Sequence, residues 1–281
     1  MSAFSLIPNM SSEKIDLIQP EDWSRPASYS GLSLPVFLIH DVTGTTSAYA
    51  RVNHMNRFVY GISNPEFWRG EQFAGGFPQL CRLYAGWIRD TVSKMDFPSP
   101  TNPDGMKDVL LAGWSLGGLL SFHIARELAK DPKIAVAGIL LIDGPYPGVV
   151  DCFTTIQPLN ASKQGGGVMS QMASQNYRTE THKIDKWALP TWTKELDGKR
   201  PKMILLRAKE RVPGPDPDLS LIDLHRDDKM LGWDQYSSDV FEEVIDVEGN
   251  HFSLFANDNI SEISHAMRRA LEKLDSSLEW N

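Results

Sequence analysis

The run Gly113-Trp114-Ser115-Leu116-Gly117, extended by Gly118, holds a serine between glycines two residues before it and two after. That spacing suits a nucleophile on a sharp strand-to-helix turn, where side chains at the flanking positions would collide with the neighbouring chain. The flanks have the required character. An apolar run, DVLLA (108–112), precedes the motif, and a helical pattern, LGGLLSFHIARELAK (116–130), follows it. A serine oxygen placed there lies near the positive end of a helix, where a developing oxyanion can be stabilised.

A serine hydroxyl needs a base, and the base needs a carboxylate to fix its tautomer. The chain has seven histidines. His251, in Glu248-Gly249-Asn250-His251-Phe252, follows the last apolar run and so stands last in the chain order Ser, acid, His. His40 ends the first of the motif-bearing runs and is expected to line the site without being the base. His123 falls within the helix after Ser115, and His54, His182, His225 and His265 lack motif context. Two loci compete for the acid. Asp143 follows VAGILLI (136–142); Glu210, Asp216, Asp218 and Asp223 follow KMILLRA (202–208). Spacing alone leaves both open. For the oxyanion, the donors expected are the backbone N–H groups of Leu116 and, from the loop after VFLIH, of Val42, with Asp41 and Thr43 as alternatives.

These residues are carried by a repeating alternation. Apolar runs at 34–40, 57–62, 108–112, 136–142, 202–206 and 241–247 are mostly continuous, as in strands buried on both faces of a parallel sheet. Between them, 79–95, 116–130 and 252–274 have helical periodicity. Strand and helix in alternation predict an α/β protein. The first 30 residues read as a mostly irregular lead-in. The segment 149–198, with SKQGGGVMSQMASQNY and KWALPTWTKELDG, is too long for a bare connection and reads as an insertion or lid. Its Phe153, Met169, Met172, Trp187 and Trp192 give it an apolar surface.

Composition limits the partners. Lysine plus arginine number 28 against 36 aspartate plus glutamate, a formal net charge of -8. Nucleic acid requires a basic footprint, so it is excluded as a partner on this reading. The amino-terminal segment has no basic region followed by an apolar run, and no stretch is apolar enough for a membrane span. Cys81 falls in the apolar pattern of a helix, and with Cys152 makes only two cysteines, too few for a disulfide framework. A cytoplasmic protein without membrane association is expected. The histidines are scattered, with no metal-ligand spacing, so neither a metal nor another bound cofactor is expected.

Five segments together resemble a known family: VFLIHDVTGTTSAY, VYGISNP, LLAGWSLGGLLSFHIARELA, GILLIDGPYPG and VEGNHFSLF. They are similar to the thioesterase domains that end fungal polyketide synthases and, more distantly, to those of non-ribosomal peptide synthetases. The resemblance spans about Pro35 to Leu271. It implies an α/β-hydrolase fold, a mostly parallel central sheet flanked by helices, in a single domain over 1–281. It also implies Asp143 as the acid, with a lid over about 149–198 after it. The expected triad is then Ser115, Asp143 and His251. Thr43, Trp114, Tyr146, Phe153 and Trp187 are the expected substrate contacts. The implied reaction is release or transfer of a polyketide-like acyl chain from the phosphopantetheine thioester of an acyl carrier protein or polyketide synthase, by hydrolysis or cyclisation. The phosphopantetheine belongs to the partner. Family members of this kind are usually carboxy-terminal domains of large synthases, whereas this chain begins at Met1 with no carrier sequence before it. A free-standing enzyme acting in trans and an excised domain are both compatible with that. A small-molecule carboxylesterase or lipase is the competing enzymatic reading, and a non-catalytic binding protein the third.

Overall fold

The computed structural model describes residues 15–20, 33–67, 73, 75–99, 101–147, 187–213 and 221–276. Among these residues seven strands form one sheet: β1 (Asp16–Gln19), β2 (Val36–Ile39), β3 (Val59–Ile62), β4 (Lys107–Trp114), β5 (Ile134–Ile142), β6 (Lys202–Ala208) and β7 (Glu243–Val247). Their order across the sheet is β1-β3-β2-β4-β5-β6-β7. Of these strand pairs, only β1–β3 is antiparallel.

The continuous apolar runs are explained by what covers the two faces. Phe37, Ile39, Val109, Leu111, Ile139, Leu141, Met203 and Leu205 share a buried cluster with α1 (Gly76–Val92) and α2 (Leu116–Leu128). Their sequence neighbours Val36, Leu38, Leu110, Ala112, Leu140, Ile142, Ile204 and Leu206 share another with α3 (Ile260–Ser276). Successive strand residues point to opposite faces, so a strand apolar at every position needs helices on both sides. Cys81 is wholly buried in α1, and burial pushes its thiol well above the ordinary range.

The six apolar runs become β2 to β7. The lead-in differs from expectation, because it contributes β1 at the sheet edge. Asp16 and Leu17 are exposed there and only Gln19 is buried, so the segment has none of the apolar density that marks the other strands. The last helix also differs. The pattern 252–274 predicts a helix from Phe252, but 250–259 forms successive tight turns and α3 begins at Ile260. Ser253 and Asn259 divert that segment. The Ser253 hydroxyl accepts the Asn250 N–H at 2.9 Å, and the Asn259 amide donates to the Ser253 carbonyl at 3.0 Å. The expected lid lies largely outside the described residues. Of it, 187–198 is described, including a short helical turn at Lys194–Asp197. Among the described residues no helix is long and apolar enough to cross a membrane.

The sheet reverses its winding between β2 and β4: β3 lies to one side of β2, and β5 to the far side of β4. Crevices at the carboxyl ends of strands around such a reversal are where α/β folds bind ligands. Ser115 and the Asp41–Gly44 loop both sit there.

Candidate active site

Ser115 is the residue joining β4 to α2, and its backbone has φ 55° and ψ -121°. A non-glycine residue at positive φ is strained and persists only where its surroundings hold it. Here the Ser115 N–H donates to the Ile142 carbonyl at 2.9 Å, and its carbonyl accepts the Gly118 N–H at 3.1 Å. The glycines explain themselves by contact. A Cβ on Gly117 would stand 2.4 Å from the Ile39 carbonyl oxygen, and one on Gly113 would stand 2.2 Å from the Gly117 carbonyl carbon. α2 can thus begin directly against the end of β2. Gly117→Ala is expected to cost about 1–3 kcal/mol through this overpacking. A fall of several degrees in thermal midpoint by calorimetry is the expected result; an unchanged midpoint would show that α2 and β2 do not meet so closely.

Sheet register sets the candidate acid beside the candidate nucleophile. Trp114 pairs with Ile142, so the next residues, Ser115 and Asp143, emerge side by side from β4 and β5. Asp143 also has positive φ, 47°, and is fully buried. Its carboxylate reaches across the end of β6. Oδ1 accepts the Ala208 N–H at 2.8 Å, and Oδ2 lies 2.8 Å from Nδ1 of His251, which sits in the turn after β7. The histidine is itself buried, against Phe252 and Trp114, with ring centroids 5.0 and 5.3 Å away. Burial alone would push the Asp143 carboxyl up. Hydrogen bonds from His251 and Arg226, with their charges, outweigh burial and hold it down at about 2. The carboxylate is therefore ionised at neutral pH and oriented on the imidazole.

The competing acids are placed elsewhere. Asp223 is buried, but its oxygens accept Nε of Arg226 at 2.9 Å and the Val212 N–H at 2.5 Å. Glu210 is exposed, and Asp216 and Asp218 lie outside the described residues. His40, expected to line the site, is buried just after β2 and is not among the residues that line the cleft described below. Its Nδ1–H donates to the Asp41 carbonyl at 2.6 Å, which leaves Nε2 to accept the Tyr84 hydroxyl at 2.8 Å. Burial lowers its pKa to about 4, so it stays neutral.

The Asp41–Gly44 loop is locked by its own aspartate. Asp41 Oδ1 accepts the Thr43 N–H at 2.7 Å and the Thr43 hydroxyl at 2.5 Å, and its carbonyl accepts the Gly44 N–H at 3.0 Å. Thr43 thereby has its backbone donor engaged. The Val42 N–H makes no hydrogen bond among the described residues. Leu116, as the first residue of α2, has no intrahelical acceptor for its N–H. Tyr49 ties this loop's strand to β4: its hydroxyl donates to the Ile39 carbonyl at 2.9 Å and accepts the Trp114 N–H at 2.7 Å.

A cleft of about 600 Å³ opens beside these groups, with Asp41, Thr43, Trp114, Phe67, Phe252 and Phe255 in its walls. Two expected substrate contacts, Thr43 and Trp114, line it. Tyr146 does not; it packs with Trp233 and Tyr236, at 5.5 and 6.2 Å between centroids. Trp187 is buried between Phe77 and His123, 4.8 and 5.7 Å away, where it fastens its segment onto α1 and α2. Phe153 lies outside the described residues. Among the described residues no cluster of histidine, cysteine and carboxylates has the makings of a metal site.

Sequence reasoning missed two contributors. Arg226 stands in the charged run His225-Arg226-Asp227-Asp228, which reads as a solvated surface. Tyr49 acts through its hydroxyl on backbone groups, which leaves no motif. The Asp41-x-Thr43 spacing, an Asx-type turn signal, was legible in principle.

Comparison with known proteins gives the family. Residues 34–271 match the model of the thioesterase domain family, and the chain belongs to that family. It is similar to a probable thioesterase, BOA10, of Botryotinia fuckeliana, with 33% identity over 88% of this chain and 87% of the relative. Thioesterase frbD of a Dothideomycetidae species is 28% identical, over 87% of this chain and 91% of the relative. Among solved structures, the NocB thioesterase domain from the nocardicin cluster superposes with a TM-score of 0.60 at 18% identity, covering 86% of this chain and 95% of that one. That likeness shows the α/β-hydrolase fold. The chain is an enzyme of the thioesterase type.

Proposed function

We propose that this enzyme releases a polyketide-like acyl chain from a phosphopantetheine thioester on a carrier protein, through an acyl-enzyme on Ser115. The observation that carries the reading is the buried 2.8 Å contact between Asp143 Oδ2 and His251 Nδ1, built next to a serine at positive φ. With Nδ1–H donated to the carboxylate, Nε2 is the free base. It takes the Ser115 proton as Oγ attacks the thioester carbonyl, and Asp143 stabilises the resulting imidazolium. The N–H groups of Leu116 and Val42 receive the oxyanion. Collapse of the tetrahedral intermediate expels the pantetheine thiolate, which takes the proton from His251. The same base then activates water, or a hydroxyl or carbon nucleophile of the chain itself, to free an acid, a lactone or a ring. Relatives named as fungal thioesterases support a role in secondary metabolism. The proposal includes a carrier protein or synthase as the partner and the cytoplasm as the location.

The aromatic walls of the cleft suit an apolar or aromatic acyl chain. Acyl thioester on a phosphopantetheinylated carrier is expected to be consumed faster than the oxygen ester of the same acid. Mass spectrometry of the product separates hydrolysis from cyclisation. Rapid turnover of the oxygen ester with an inert thioester would support a carboxylesterase instead.

A further inference from the structure

The network around Asp143 extends one residue beyond what a triad requires. We propose that Arg226 is a positioning residue that balances the charge of the Asp143–His251 pair and so sets the pH above which His251 works as a base. This rests on the catalytic reading of Ser115, His251 and Asp143 given above.

The guanidinium is buried and fixed at every nitrogen. One terminal nitrogen donates to Asp143 Oδ1 at 2.5 Å and to the Ala208 carbonyl at 3.0 Å. The other donates to Asp143 Oδ2 at 2.9 Å, and Nε to Asp223 Oδ1 at 2.9 Å. Both oxygens of the acid thus receive the fork, a geometry lysine cannot reproduce. Asp143 Oδ2 is shared, because it also faces His251 Nδ1. A carboxylate alone strengthens an imidazole's hold on its proton, and a cation on the same oxygens weakens it. An imidazole that stays protonated at neutral pH cannot accept the serine proton.

Charged groups reach His251 from several elements. Asp143 comes from the end of β5, with Arg226 and Asp223 behind it from the segment after β6. Asp41 comes from the loop after β2, and interacts electrostatically with the histidine. Glu248, in the histidine's own turn, is paired with Lys209. Within this set Arg226 is the cation bound to the acid. Asp223 in turn offsets part of its charge. The arrangement makes opposite predictions for two neighbours. Loss of the cation leaves Asp143 unopposed, and loss of Asp223 leaves the cation unopposed.

The test reads the second-order rate of Ser115 inactivation by a fluorophosphonate as a function of pH, which needs no knowledge of the acyl substrate. In Arg226→Met the acid limb is expected to move up by about one pH unit. In the isosteric Asp223→Asn it is expected to move down, by a smaller amount. Arg226→Lys keeps the charge and loses the fork, so its limb should stay near that of the parent while its plateau rate falls. Should Arg226→Met not fold, a limb that moves down in Asp223→Asn while it stays in place in Arg226→Lys supports the proposal, and an unmoved limb in Asp223→Asn overturns it. A residue that only held the loop would lower the rate evenly across pH; limbs that stay in place, or that move in one direction in both the Met and Asn variants, overturn the proposal. A parent enzyme that does not react at any pH would overturn the catalytic reading beneath it instead.

Discussion

Ser115→Ala is expected to lower thioester turnover by a factor on the order of 10⁵, with the fold intact. Such a loss corresponds to about 7 kcal/mol of transition-state stabilisation. Among the described residues, nothing in the site can take over the bond-making step. His40 is neutral and engaged at both ring nitrogens, and Cys81 is buried in α1 with its thiol pushed up by burial. The backbone at 115 is held by the Ile142 and Gly118 hydrogen bonds, which alanine retains, so the turn survives the change. Steady-state kinetics with circular dichroism of the variant checks both halves. Turnover within tenfold of the parent would remove Ser115 from the mechanism.

Asp143→Asn is expected to be the second most damaging change, at about 10⁴-fold in kcat. An amide that donates to His251 Nδ1 favours the wrong tautomer, and a neutral group cannot stabilise the imidazolium. Unlike Ser115→Ala, this change also carries a structural cost. Arg226 is 3% exposed at its side chain and has its fork on Asp143, so neutralising the acid leaves a buried cation with Asp223 as its remaining carboxylate. Breaking a buried pair from one side costs about 3–5 kcal/mol. The thermal midpoint should therefore fall together with kcat. Glu210→Gln, at an exposed position, should change neither.

The same carboxylate gives the folded state a defined acid limit. The Asp143 pKa is lowered by folding, from the ordinary 3.8 to about 2. The stabilisation is thus complete above the unfolded value and is lost as pH falls from about 4 towards 2. In Asp143→Asn that part of the acid dependence should vanish, which denaturant midpoints across this range would show.

How much of this was legible in the sequence follows from the kind of signal each part leaves. Strands β2 and β4 to β6 announce themselves because burial on both faces demands long runs of apolar residues, whereas β7, with Glu243 and the exposed Asp246, carries a weaker signal. The turn at Ser115 was legible because two close approaches exclude any Cβ at Gly113 and Gly117. β1 was hidden, since an edge strand with exposed Asp16 and Leu17 carries no such density. The tight turns before α3 were hidden by a helix-like apolar spacing that Ser253 and Asn259 override through side-chain bonds to backbone. Spacing could not choose between Asp143 and Asp223, because both are buried aspartates that follow a strand. The choice lies in register: Asp143 emerges beside Ser115 and faces His251, while Asp223 faces Arg226. Arg226 itself left no signal, as a buried arginine inside a charged run looks like any solvated one.

The central claim, an acyl-enzyme on Ser115 drawn from a carrier-bound thioester, is tested most directly by intact-protein mass spectrometry after mixing with an acylated carrier. The account predicts that the enzyme gains the mass of the acyl group while the carrier returns to its free-thiol mass. The adduct should map to the peptide containing Ser115 and be absent from Ser115→Ala. A carrier that keeps its acyl group while the parent enzyme stays unmodified, or an adduct that persists in Ser115→Ala, would contradict it.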